Sequence, residues 1–152
     1  MDYQISEKEL APQLALTHRV TTTMATVGER IGAGFGVLME HGGKTGAQWA
    51  GPPFILNPED CSDEFEMVIC LPVAPGARGG EGVELEEIPG GLVAATTHVG
   101  PYREVGKAYT ALQKWMTDNG RRPAGMTREV YLNDPGEVPE DELLTEVDWP
   151  IA

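Results

Sequence analysis

Three short pieces of this sequence return later in the same order, and this constrains the fold more than any single residue does. "GAGF" (32–35) recurs as "GKAY" (106–109), "FILNP" (54–58) as "VYLNDP" (130–135) and "LPVA" (71–74) as "WPIA" (149–152), each about 74 to 78 residues further on. A strand-helix-strand-strand unit written twice accounts for the spacing, and duplicated halves usually pair around a pseudo-twofold axis to build a shared sheet or cleft. Chance similarity of short apolar pieces is the competing explanation; their preserved order argues against it. The predicted halves run roughly over 11–75 and 91–152. Together they form a single domain, 1–152, large enough to bury about two-thirds of its unfolded surface without a disulfide or metal staple.

Hydrophobic periodicity fills in the elements. Residues 13–23 place Leu14, Leu16, His18 and Val20 on one face and Ala15, Thr17, Arg19 and Thr21 on the other, which predicts a strand. Between Ala25 and His41, Val27, Ile31, Phe35, Leu38 and Met39 recur at helical spacing. Gly28, Gly32, Gly34 and Gly36 each weaken that helix by up to about 1 kcal/mol, so it must lean on tertiary packing. Strands are predicted at 54–57 and 65–74, where Met67, Ile69 and Leu71 alternate as a core face. Residues 75–90 read as an exposed loop with a short strand near Val83–Leu85. The second half opens with the strand "GLVAATTHV" (91–99). Pro101 then stands where the first turn of a helix tolerates it, and Val105, Ala108, Tyr109, Leu112, Trp115 and Met116 trace an apolar stripe that stops at Asn119–Gly120. Tyr109 and Trp115 are read as core residues of that stripe.

Charge narrows the partners. Twenty-four acidic against 11 basic side chains leave a net charge of −13, which opposes binding to phosphate backbones or anionic lipid and also keeps a protein in solution. Cys61 and Cys70 form neither a CxxC pair nor a Cys/His cluster and are expected as free thiols. His18, His41 and His98 are widely spaced and show no metal or nucleophile pattern, so no metal or cofactor is expected. The N-terminus lacks the basic region of a signal peptide, and no apolar run approaches the ~18 residues of a membrane span, so a cytoplasmic protein is expected.

Five pieces in order, "AGPPF" (50–54), "HVGPY" (98–102), the helix ending at Gly120, "REVYLNDPGEVP" (128–139) and "LLTEVDWPI" (143–151), resemble the GyrI-like small-molecule-binding domains. These are also found as effector-binding domains of AraC-type and MerR-type multidrug transcription activators. The resemblance implies an α+β fold of the SOUL/SHS2 kind, with helices on one face of a curved antiparallel sheet and a ligand cleft on the other. It implies a pocket lined by aromatics around the glutamate of an E-x-Y sequence in the penultimate strand, here Glu129 with Tyr131. The glycine-rich first helix and the inserted "KTGAQW" (44–49) depart from the family pattern.

Strand alternation sets Thr127, Glu129 and Tyr131 on one face, expected to look into the cleft, and Val130 and Leu132 on the other, expected to pack beneath helices. A desolvated carboxylate favours a ligand that brings positive charge or hydrogen-bond donors, and Tyr131 adds cation-π attraction of roughly 0.5 to 2 kcal/mol. Tyr102 offers another ring from the mouth of the cleft, and Phe54 its first-half side. Trp49 divides between cleft lining and packing, and Glu146 reads as part of a solvated strand face. The plain alternative is an ordinary half-exposed strand with Glu129 in solvent and Tyr131 as a surface aromatic.

Two classes of function follow. One is a binding module for amphipathic, aromatic or cationic molecules, expected to stand alone because little chain precedes the first strand and no room is left for a helix-turn-helix. The other, implied by the resemblance, is a hydrolase that opens the cyclopropane of DNA-alkylating natural products, with Glu129 as general base and Tyr131 or Tyr102 as hydrogen-bond donor. Modulation of a protein partner such as gyrase is a further role implied by the family's name, although nothing in these residues points to gyrase.

Overall fold

The computed structural model describes residues 3–58 and 63–152; Cys61, expected as a free thiol, lies outside the described residues, whereas Cys70 is buried with its Sγ 3.8 Å from the Val68 carbonyl oxygen. In chain order the elements are β1 (Ser6–Leu10), β2 (Gln13–Thr22), α1 (Val27–Thr45), β3 (Phe54–Asn57), β4 (Phe65–Pro72), β5 (Glu84–Ile88), β6 (Gly91–Val99), α2 (Gly106–Asp118), β7 (Thr127–Tyr131) and β8 (Leu144–Pro150), with short 3-10 turns at Tyr102–Glu104 and Glu140–Glu142. The fold is α+β, with antiparallel strand pairing inside each of two compact units.

One unit comprises Ala11–Gly90 and orders its strands β3-β4-β2-β5. The other comprises Gly91–Ala152 with the N-terminal segment through Leu10 and orders its strands β7-β8-β6-β1. β1 was not legible in the sequence. Its residues, "SEKEL", give no apolar alternation, and it exists because β6 offers a free edge along Gly91–Ala95. β5, "ELEEI", holds the matching edge of the first unit, so both edge strands carry charge.

In the first unit α1 lies against β4 where Gly34 meets Ile69. A Cβ added at Gly34 would stand 2.0 Å from Ile69 Cδ1, so the close approach of helix to strand requires glycine there. Leu38, Met67 and Ile69 are fully buried around this contact. β4 is also buried on its other face, at Val68 and Cys70, as expected of its unbroken apolar run. The helix runs past the predicted end at His41 to Thr45. The first left-handed residue after the stripe is Gly46, at φ 73°, and Ala47 N–H returns to the Gly42 carbonyl at 2.9 Å.

In the second unit the predicted stripe of α2 packs Ala108, Leu112 and Met116 against Ala94, Val147, Trp149 and Ile151, with Val105, Tyr109 and Trp115 around them. Gly120, at φ 65°, closes the helix, and Arg121 N–H bonds to the Met116 carbonyl at 2.8 Å. Pro101 stands ahead of the 3-10 turn rather than in the first turn of α2, which begins only at Gly106.

The packing of α1 separates its glycines. Gly34→Ala should destabilise the protein by about 1 to 2 kcal/mol, since the clash with Ile69 outweighs the helix-propensity gain. Gly32→Ala and Gly36→Ala, whose added Cβ atoms meet nothing within 4 Å, should each stabilise it by about 0.5 to 1 kcal/mol in urea unfolding.

Candidate functional site

The face of β7 that carries Thr127, Glu129 and Tyr131 is decided by its partner strand. Glu129 stands opposite Val147, and Val147 belongs to the core beneath α2, so this face looks toward the helix. The expected assignment of faces is therefore reversed: Val130 and Leu132 do not pack beneath α2, and Leu132 is exposed. Alternation along the strand was read correctly, but alternation alone does not say which face the helix covers.

α2 brings Tyr109 over this face. The Tyr109 hydroxyl donates to Glu129 Oε2 at 2.5 Å and lies 3.3 Å from Thr127 Oγ1, which is free to donate to it in turn. Tyr131 donates to Glu129 Oε1 at 3.3 Å. Tyr102 sets its ring edge-on to Tyr131, with centroids 5.4 Å apart and planes at 69°, and Tyr109 meets Trp149 in the same manner at 5.6 Å. Glu129 is thus a half-buried carboxylate that accepts from two phenols, with a third ring set edge-on to one of them. Burial, joined by the Glu129 charge, pushes the Tyr131 phenol well above its ordinary value. Burial and Asp134 raise that of Tyr102. Both hydroxyls keep their protons well past neutral pH and act as donors rather than as bases.

Two further polar atoms share this side of the sheet. Thr145 stands opposite both Tyr131 and His98, and its buried Oγ1 has no hydrogen-bond partner among the described residues; neither has Trp149 Nε1. On the solvent side of Tyr102 lies a depression of about 390 Å³, lined by Tyr102, Arg103, Pro135, Glu140 and Leu143, with an Arg103–Glu140 ion pair in its wall.

Glu129, Tyr131 and Tyr102 therefore come together in one unit. Trp49 and Phe54 belong to the other. Trp49 is 45 % exposed and lays its ring over Gly42 of α1, while Phe54 is 2 % exposed and pairs with Cys70 across β3 and β4. Tyr109 was read as core, and it is both core and part of the site. The available clue was its hydroxyl, because a tyrosine buried in an apolar stripe needs a polar partner.

Glu146, expected on a solvated face, is instead half-buried and paired with Lys8 Nζ at 2.6 Å. β1, unanticipated, supplies that lysine. Beside it Asp148 is 1 % exposed. Its carboxyl is pushed up to about 8, first by burial and then by Glu146, with Lys8 and Arg128 acting against the rise. Burial also raises Glu146, but hydrogen bonds from Asp148 and Lys8 outweigh it and leave that carboxyl below its ordinary value. Asp148 keeps the proton in this pair. Among the described residues no group of three or more His, Cys, Asp or Glu side chains is placed to hold a metal ion, and no helix is long and apolar enough to cross a membrane.

Two outcomes follow from these networks. Removing the Tyr109 hydroxyl (Tyr109→Phe) leaves Glu129 with one phenol donor fewer and should cost about 1 to 3 kcal/mol in thermal or urea unfolding. Asp148 holds its proton in the folded state between its unfolded value of 3.8 and about 8, so the unfolded state binds fewer protons in that window and stability falls as pH rises. Asp148→Asn removes that slope. The variant should gain on wild type by up to about 1.4 kcal/mol per pH unit between pH 5 and 8 and stay level above, as measured by urea unfolding across that range.

No curated protein matches the sequence. Among solved structures the chain is similar to the EcmrR C-terminal domain, with 21% identity, a TM-score of 0.88 and coverage of 100% of this chain and 99% of that one. It spans only 57% of the EcmrR chain solved in a DNA complex. It is also similar to a structure described as a hydrolase from Listeria innocua, at 15% identity and a TM-score of 0.72 over 98% of this chain and 92% of that one. A third likeness is to SAV2435 bound to tetraphenylphosphonium, at 12% identity and a TM-score of 0.63, covering 100% and 94%. Such identities speak for the fold; the family is shown by a family model that matches residues 2–152, and the chain belongs to the GyrI-like small molecule binding domains.

Proposed function

We propose that this GyrI-like domain binds small amphipathic molecules, cationic and aromatic ones foremost, at the Glu129 carboxylate. The observation that carries this reading is the setting of Glu129: a half-buried carboxylate held by Tyr109 and Tyr131, with the Tyr102 ring edge-on to Tyr131 and lining a surface depression. Two phenols donate hydrogen bonds to the carboxylate. A ligand cation is attracted to a carboxylate that partial burial has taken from water, and the tyrosine faces add roughly 0.5 to 2 kcal/mol each where they are desolvated. The unpartnered Thr145 hydroxyl and Trp149 indole N–H offer polar addresses on the same side of the sheet. The similar SAV2435 was solved with tetraphenylphosphonium, a cation wrapped in aromatic rings, which fits this chemistry.

A second reading is hydrolysis. The likeness to a Listeria innocua structure described as a hydrolase favours it, and so do the raised phenols of Tyr131 and Tyr102, which remain donors to a substrate carbonyl at neutral pH. Glu129 then takes a proton from water as the water oxygen bonds to a carbon of a strained cyclopropane, the ring C–C bond breaks, its electron pair passes to the conjugated carbonyl oxygen, and a tyrosine that donates to that oxygen stabilises the charge developing there.

Titration with tetraphenylphosphonium, followed by tryptophan quenching, tests the first reading. Wild type should saturate, Glu129→Gln should bind about tenfold or more weakly, and Tyr102→Ala about three- to tenfold more weakly. Equal affinities for wild type and Glu129→Gln would remove Glu129 from the site. For the second reading, a neutral cyclopropane electrophile is incubated with each protein and its products weighed by mass spectrometry. A water adduct formed by wild type and absent with Glu129→Gln supports hydrolysis, and unchanged compound in both excludes it.

A further inference from the structure

His98 lies in β6 at 2 % exposure, and both of its ring nitrogens are engaged. Nε2 is 3.1 Å from the Pro101 carbonyl oxygen and Nδ1 is 2.8 Å from the Tyr3 hydroxyl. A carbonyl only accepts, so Nε2 carries the hydrogen; Nδ1 of the neutral ring is then an acceptor, and Tyr3 donates to it. The Tyr3 ring stacks on the imidazole, with centroids 6.1 Å apart and planes at 27°. Burial raises the Tyr3 phenol, Lys107 opposing and Glu104 adding to the rise, so its hydroxyl is a lasting donor.

The carbonyl that His98 holds is the one that opens the 3-10 turn. Glu104 N–H also bonds to it at 3.0 Å, which places Tyr102 one residue beyond a doubly anchored oxygen. Gly100, at φ 124°, makes the bend just before it, and its N–H bonds to the Leu143 carbonyl at 2.8 Å. We propose that His98 is a positioning residue for the binding site: through the Pro101 carbonyl it orients the turn that lays Tyr102 against Tyr131, and Tyr3 holds it in the tautomer that can do so. This rests on the reading of the Glu129 site as the ligand site. It assigns a second task to the N-terminal segment, which reaches β6 from the far end of the chain and carries the donor that selects the tautomer.

The full chain is compared with His98→Gln, His98→Asn and Tyr3→Phe. A glutamine amide reaches the place of Nε2 and keeps the donation to Pro101, whereas an asparagine amide replaces only Nδ1. The readouts are the Tyr102 ring resonances in ligand-free protein, which Tyr131 shifts by its ring current, the ring-nitrogen spectrum of His98, and the affinity for tetraphenylphosphonium. Wild type should show the Nε2–H tautomer. His98→Asn should move the Tyr102 resonances and weaken binding about tenfold, while His98→Gln should keep both near wild type, within about twofold for affinity. Tyr3→Phe should mix the tautomers and displace Tyr102 part of the way, and it carries the comparison if His98→Asn does not fold. Unmoved Tyr102 resonances in His98→Asn and Tyr3→Phe, or an equal displacement in His98→Gln and His98→Asn, would overturn the assignment. If the resonances move as expected but wild type fails to bind the cation, the positioning role stands and the ligand reading falls.

Discussion

The candidate site depends on one packing contact, the apolar stripe of α2 on β6 and β8. Ala108, Leu112 and Met116 sink into Ala94, Val147 and Trp149, and Leu112 and Met116 each contribute roughly 1.5 to 3 kcal/mol by burial. That burial fixes the rotation of the helix about its axis. Once it is fixed, Tyr109, on the flank of the stripe, has only one place for its hydroxyl, above β7, where Glu129 meets it. A helix turned by one residue would move this phenol by about 100° and leave the carboxylate with Tyr131 alone.

Charge is handled differently on the two faces of the same sheet. Toward α2, Glu129 accepts hydrogen bonds from two phenols, groups that donate without bringing a positive charge. On the other face, Asp148 keeps its proton beside the Glu146 carboxylate, with Lys8 and Arg128 acting on both. There the protein supplies its own cation and no charge is left to offer. The first unit has no such buried carboxyl site among its described contacts. Its core turns on close approach, with Gly34 admitting Ile69 and Gly42 lying beneath Trp49.

How much of this was legible in the sequence differs by element. The α2 stripe and the strands β2, β4 and β6 stand out because periodicity records burial directly, whereas the E-x-Y of β7 and the closing strand β8 came from the resemblance to the GyrI-like domains. β1 was hidden, since an edge strand of charged residues leaves no apolar period and exists only because β6 is there to pair with it. Glu129, Tyr131 and Tyr102 were identified as a group, but the side of β7 on which they stand was read in reverse. Tyr109 was left to the core and Glu146 to solvent, because their partners lie 20 and 138 residues away in the chain.

By itself the sequence determined the periods of the main elements and the residues that belong on one face of each strand, for these follow from local geometry and the amphipathic pattern, while its resemblance to the GyrI-like domains implied the α+β fold. Only the tertiary structure decided which face the helix covers, that Tyr109 closes on Glu129, that Lys8 meets Glu146, and that Tyr3 reaches His98. Each of these joins groups whose separation along the chain carries no period. Cross-strand register and helix rotation bring them within hydrogen-bonding distance, and both are set by burial of the whole sheet rather than by any segment of it.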